Sequence, residues 1–120
     1  MSAALRWLGG TEDKVVLKNI VSSLVGQWTD REGSIYTLTQ GGGTDEHTCG
    51  QNIDVLTLRP SGERRYTKGL IRCIASGSGD EVDMFWGRRP QTRFVGNIEE
   101  EEERITWQRE GRKFHWRKLQ

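Results

Sequence analysis

Few side chains in this sequence have the types and spacing that catalysis requires. Four residues could act as nucleophiles and two as bases: Ser34, Ser61, Cys49 and Cys73, with His47 and His115. None of them lies in a nucleophile elbow, a phosphate-binding loop or an HExxH sequence. Asp30 and Glu32 form a carboxylate pair, but they lie in a predicted turn, where carboxylates usually serve the turn itself. The sequence therefore predicts a protein that is not an enzyme.

Metal ligands are equally sparse. His47-x-Cys49 has ligand character, but a structural zinc site needs about four ligands, and partners at a suitable spacing are missing. The acidic run Glu99–Glu103 lacks the alternating Asp, Asn and Gly of a calcium-binding loop. We therefore expect neither a metal nor another cofactor.

Aromatic side chains are the strongest candidates for a binding site. Most lie on separate predicted strands, and the candidate ligand-binding residues are Trp28, Tyr36, Trp86, Trp107 and Trp116. Converging indoles could hold an apolar or sugar-like ligand by stacking and burial at the mouth of a barrel. Alternatively, these rings fill the core, because an eight-stranded barrel is just wide enough for side chains to occupy it. We favour the core role.

Arginines form a second candidate surface. Its members are Arg59, Arg72, Arg88, Arg89, Arg93 and Arg117. Aromatic residues lie between them in the sequence, which is typical of proteins that bind single-stranded nucleic acid. The same residue types are enriched at protein–protein hot spots. We expect a protein partner more than a nucleic acid.

Composition limits the partners further. Eighteen basic and seventeen acidic residues among 120 give a net charge of +1, which argues against a general attraction to nucleic acid or anionic membranes. No apolar run reaches the length of a membrane span, and residues 1–10 lack the apolar segment of a secretory signal. We therefore expect a cytoplasmic protein with no membrane partner, and free thiols at Cys49 and Cys73.

Two parts of the chain would position these residues. Residues 1–25 are predicted to be a helical segment whose main helix begins at Thr11, its cap, because apolar residues recur on one helical face after it. That face comprises Leu17, Ile20, Val21 and Leu24. The β-branched residues around Val15 and Val16 make a strand the alternative there.

Residues 26–120 are predicted to form an antiparallel β-barrel domain. About eight short alternating segments are separated by turn residues. The first predicted strand contains Trp28, and the others cover residues 33–39, 53–59, 66–75, 82–86, 93–98, 104–108 and 113–118. The glycine-rich stretch 40–51 is predicted to be a long loop. Regular spacing and consecutive hairpins favour a small up-and-down barrel or closed meander, since closure removes exposed edges.

Gly26-x-Trp28 after a short helix resembles the motif that opens the first strand of calycin barrels, the lipocalins and avidin-like proteins. Calycins often pair this tryptophan with a basic residue of the last strand, for which Arg117 and Lys118 are the candidates here. The resemblance implies a carrier of a small apolar ligand.

A wider pattern resembles small tryptophan-punctuated β repeats that occur, often in tandem, in uncharacterised proteins of unicellular eukaryotes. The matching residues are Gly26-x-Trp28-x-Asp30-x-x-Gly33-Ser34-x-Tyr36, Arg59-Pro60-Ser61-Gly62, Leu70-Ile71-Arg72, Trp86-Gly87, Ile105-x-Trp107 and Trp116. This resemblance implies a fold and no assigned chemistry.

These features predict a non-catalytic binding or interaction module whose most favoured partner is a protein. One alternative is a calycin-like carrier of a small apolar ligand, which requires a cavity lined by tryptophan. The other is a single-stranded nucleic-acid binder, which requires the arginines to share a face with an exposed aromatic.

Overall fold

The computed structural model describes Val15 and residues 17–45, 50–75, 82–87, 89–99 and 101–119. Its strands are β1 (Gly26–Thr29), β2 (Ile35–Asp45), β3 (Gly50–Leu58), β4 (Arg64–Ala75), β5 (Val82–Trp86), β6 (Phe94–Glu99), β7 (Arg104–Arg109) and β8 (Arg112–Lys118). Each strand pairs antiparallel with the next, and β8 pairs with β1, so the sheet closes into a barrel. The predicted all-β, eight-stranded up-and-down barrel is confirmed.

An α-helix, α1 (residues 17–24), leads into β1. Its buried side chains are Leu17, Val21 and Leu24, which belong to the same core as the barrel, so the predicted helical stripe is confirmed. Trp28 Nε1 donates a hydrogen bond to the carbonyl oxygen of Leu24 at 2.8 Å, which ties β1 to the helix. The predicted cap, Thr11, lies outside the described residues. Within the described part of the chain, no helix has the length and apolarity that crossing a membrane requires.

The predicted loop over residues 40–51 is wrong where the structure describes it. β2 continues to Asp45, which pairs with Gly50 at the start of β3 after a shift of register. Gly41 lies so close to β3 that an added β-carbon would be 2.8 Å from Asp54 Oδ1. Glycine within a strand permits such a close backbone approach and often marks a bulge. The glycines therefore belong to an irregular strand.

Side chains fill the interior of the barrel. Trp28, Trp107 and Trp116 are at most 1% exposed, and buried aliphatic residues of β2, β3 and β4 surround them. Residues 71, 73 and 75 of β4 are buried, as the strand alternation predicts. Cys73 is a free thiol, and burial raises its pKa to about 12. Tyr36 is 3% exposed, so four of the five candidate aromatics are parts of the core and Trp86 alone is partly exposed.

Candidate functional site

A cleft of about 900 Å³ opens between the β1–β2 turn and β8. The turn lies at the end of the barrel opposite α1, because α1 precedes β1 and the turn follows it. Its aromatic floor is formed by the half-buried rings of Trp86 and Phe114 together with the buried Tyr36. Four cationic side chains form its basic rim: Arg31, Arg59, Lys113 and Arg117. Asp30, Glu32 and His115 complete the polar lining.

The cleft exists because β1 is short. β1 pairs with β8 only at Trp28↔Lys118 and Thr29↔Arg117. The chain then turns away at Asp30, whose Oδ1 accepts the backbone N–H groups of Glu32 and Ser34, each at 3.0 Å. This is the usual way in which an aspartate stabilises a turn with its own side chain. The first half of β8 therefore extends beyond its neighbour.

Trp86 is the centre of the aromatic floor. Its ring lies 4.9 Å from that of Trp116, 5.4 Å from Phe114 and 5.6 Å from Trp107. Tyr36 stacks on Trp116 with 4.1 Å between ring centres and 15° between planes. Edge-to-face and offset contacts of this kind hold aromatic rings in fixed orientations. The floor is therefore a rigid surface supported by core tryptophans.

The structure thus brings four of the five candidate aromatics together: Tyr36, Trp86, Trp107 and Trp116. Trp28 pairs across the sheet with Tyr36, but its indole is tied to α1 by the hydrogen bond to Leu24 and does not line the cleft. Lys118 Nζ lies 5.6 Å from the centre of the Trp28 ring and donates a hydrogen bond to the carbonyl of Ser23 at 3.3 Å. Trp107 Nε1 and Trp116 Nε1 are buried and have no acceptor among the described residues.

Tyr36 and Asp30 connect the floor to the turn. Tyr36 Oη donates a hydrogen bond to Asp30 Oδ2 at 2.6 Å. Burial, reinforced by this hydrogen bond, raises the pKa of Tyr36 far above its ordinary value of 10.0. Because both oxygens of Asp30 accept hydrogen bonds that fold the turn, we assign Asp30 a structural role rather than that of a catalytic base.

His115 faces outward from β8 and is held by β7. Its Nδ1 lies 2.9 Å from Thr106 Oγ1, which is itself 3.3 Å from Glu99 Oε1. Thr106 is only 7% exposed, and its hydroxyl is engaged by both His115 and Glu99. Of the candidate nucleophiles, Ser34 and Cys73 are fully buried. His47 and Cys49 lie outside the described residues.

The arginines do not gather on a single face. Arg59 and Arg117 lie at the cleft, whereas Arg93 stacks 3.9 Å above the ring of Phe85 on the outside of β5. Arg72 is on β4, four strands from β8 in either direction round the barrel, so it lies on the opposite side from Arg117. Arg89 is exposed in the β5–β6 turn, and Arg88 lies outside the described residues. The arginines that the structure describes therefore lie on different sides of the barrel.

Phe114 and Phe94 also belong to the aromatic cluster, although neither is among the five candidate aromatics. Their rings are 5.1 Å apart, and both contact Trp86. Strand alternation could have identified Phe114, because it lies two residues from Trp116 on β8 and therefore on the same face. Across the described residues, no group of three or more His, Cys, Asp or Glu side chains could hold a metal ion.

Comparisons with protein-family models, with curated proteins and with solved structures find no match for this chain. Its function must therefore be inferred from its own side chains.

Proposed function

We propose that the protein is a non-catalytic binding module that holds a segment of a partner protein in the cleft between the β1–β2 turn and β8. Trp86 carries this proposal. Its half-buried ring contacts the buried Trp107 and Trp116 on one side and lines the cleft on the other. Rigid aromatic side chains in concave, partly desolvated sites are the residues that dominate the affinity of protein interfaces.

The surroundings of Trp86 support a protein partner. Four cationic and two anionic side chains border the aromatic floor, with Arg59 and Arg117 among the cationic ones. An apolar centre with a charged rim is the usual composition of a protein–protein interface. The predicted arginine and aromatic site residues meet here, although only a subset of them takes part.

A small apolar ligand is the second candidate. The Lys118–Trp28 contact supports the resemblance to calycins, because a basic residue of the last strand lies over the first-strand tryptophan. A carrier, however, needs an enclosed apolar cavity, and the barrel interior is occupied by fully buried side chains such as Trp107, Trp116 and Ile53. A protein segment in the open cleft therefore takes precedence.

A peptide selection tests the proposal. A library of random dodecapeptides displayed on phage is selected on the full chain, and the selected peptides are titrated while intrinsic fluorescence is recorded. We expect Trp86→Leu to weaken binding by about thirtyfold, as the truncation of an interface hot spot does. Phe85→Leu, on the outer face of the same strand and outside the cleft lining, is the matched control and should leave binding unchanged.

Two results would overturn this function. The first is equal binding of the selected peptides to the Trp86→Leu variant, which would place their site elsewhere. The second is a library that yields no binding peptide while an apolar dye saturates the protein and protects Trp86 from acrylamide. That second result would favour the carrier.

A further inference from the structure

The main-chain groups of β8 show which edge of the strand is open. Leu119 N–H donates to the carbonyl of Gln27 at 2.8 Å, toward β1, whereas Lys118 N–H donates to Glu103 at 2.9 Å, on the β7 side. Successive residues of a strand direct their main-chain groups to alternate sides. Arg117, His115 and Lys113 therefore direct their N–H and C=O groups toward β1.

β1 does not reach two of these residues. Its pairing with β8 ends at Thr29↔Arg117. The pairing between β7 and β8 runs without interruption from Arg104↔Arg117 to Arg109↔Arg112, so the other edge of β8 is fully used. Among the described strands, none pairs with the β1 side of residues 112–116. An open edge of five residues, about 17 Å long, thus borders the cleft.

From this edge we propose that the cleft receives its partner as an added β-strand, an extended acidic segment that pairs with His115 and Lys113. This inference rests on the proposed function and specifies how the partner binds. An extended peptide that completes an open sheet edge gains affinity from main-chain hydrogen bonds and specificity from alternate side chains.

Charge identifies the class of segment. The rim carries Arg31, Arg59, Lys113 and Arg117 against Asp30 and Glu32, an excess of two positive charges. Acidic side chains on the incoming strand would be attracted to this rim. A second copy of β8 would instead bring Arg112, Lys113 and Arg117 against the same residues, and like charges on facing strands repel.

The aromatic floor sets the pattern of the segment. Phe114 and Trp116 point into the barrel, whereas Lys113 and His115 point outward. A strand beside β8 has the same alternation, so every second residue would face Trp86 and Phe114. The segment therefore alternates apolar residues, directed to the floor, with aspartate or glutamate, directed to the rim.

The test uses two libraries of capped octapeptides on the full chain. One alternates aspartate or glutamate with valine, isoleucine or phenylalanine, and the other has lysine at every acidic position. We expect peptides of the acidic library alone to bind and to slow hydrogen exchange at the amides of Lys113 and His115. The binding of these peptides should weaken with salt.

A pair of substitutions isolates the main-chain contact. Lys113→Pro removes an N–H that points to the cleft and takes no part in the β7–β8 ladder, a position where strands tolerate proline. Lys113→Ala removes the same charge and keeps the N–H. We expect the alanine variant to lose about threefold in affinity, as for an exposed ion pair, and the proline variant to lose at least about tenfold.

The outcomes separate this inference from the proposed function. If peptides bind and perturb Trp86 but the alanine and proline variants bind them equally, strand addition is overturned and the proposed function stands.

If the lysine library is preferred, the acidic partner is overturned. A dimer that forms through β8, detected by sedimentation and abolished by Lys113→Pro, would replace the partner segment with a second copy. If neither octapeptide library nor the dodecapeptide library binds, the proposed function is overturned as well.

Discussion

Trp107 lies so close to the backbone of Gly96 that no side chain fits between them. A β-carbon added to Gly96 would be 2.5 Å from Trp107 Cζ3 and 2.5 Å from Met84 Cε. Gly96 pairs across the sheet with both residues, Met84 on β5 and Trp107 on β7. The absence of a side chain at position 96 of β6 is therefore what allows a tryptophan to fill this part of the barrel.

Gly96→Ala should destabilise the protein. The added methyl group has to displace buried side chains, and overpacking of this kind costs about 1–3 kcal/mol in the free energy of unfolding. Urea unfolding followed by circular dichroism measures the loss. Asn97→Ala, at the next and exposed position of β6, should change stability by less than about 0.5 kcal/mol. Equal losses in the two variants would contradict the close packing of Gly96.

Lys118→Met should loosen the contact between α1 and the barrel. The substitution keeps most of the aliphatic stem but removes the ammonium over Trp28 and its hydrogen bond to Ser23. We expect a loss of about 1 kcal/mol, measured by thermal or urea unfolding. Arg117→Met is the matched control, because Arg117 is exposed on the neighbouring position of β8. If Arg117→Met lost more stability than Lys118→Met, Arg117 rather than Lys118 would be the residue that stabilises this region.

Tyr36→Phe should change how stability depends on alkaline pH. The folded protein raises the pKa of Tyr36 above its ordinary value of 10.0, so the protonated hydroxyl stabilises the fold fully below pH 10.0. This contribution declines as the pH rises from 10.0 toward the folded-state value. The variant should therefore be less stable than the wild type at pH 8, and the two should converge above pH 10.0.

Urea titrations at several pH values measure this difference. A hydroxyl hydrogen bond to a carboxylate contributes about 1.5–3 kcal/mol, which sets the gap expected at pH 8. A gap that stays constant from pH 8 to pH 11 would show that the Tyr36 hydroxyl does not titrate differently in the folded protein.

Cys73 should resist thiol reagents while the protein is folded. Burial raises its pKa to about 12, and the thiolate is the reactive species, so almost none is present or accessible at pH 8. In a Cys49→Ser background, a chromogenic disulfide reagent should react with Cys73 only as fast as the protein opens, and rapidly in denaturant. Reaction of the folded protein at the rate of a free peptide thiol would contradict the burial of Cys73.

The sequence predicts the barrel better than it predicts the cleft. Alternation of apolar and polar residues locates most strands, because successive side chains of a strand face the core and the solvent in turn. Glycines 41–43 have no side chains that could alternate in this way, so the sequence does not reveal the second half of β2. The helical stripe of α1 was recognisable because Leu17, Val21 and Leu24 recur at helical spacing.

The cleft depends on relationships that a sequence pattern does not contain. It forms because Asp30 ends β1 early, and the length of a strand relative to its neighbour follows from hydrogen bonds within the turn. The dispersal of Arg72 and Arg117 likewise follows from the order of strands round the barrel. Tryptophan positions alone could not separate the core rings from Trp86, since both kinds alternate in the same way.

The short β1–β8 seam has a consequence for how the chain folds. All other strand pairs join neighbours in sequence, whereas the seam joins Trp28 to Lys118, 90 positions away. Hairpins close short loops at low entropic cost, but the seam has to close a loop that includes almost the whole chain. We therefore expect the meander to assemble first and the seam to close last. In the native protein, the same seam should be the first part of the barrel to open transiently, before any of the hairpins.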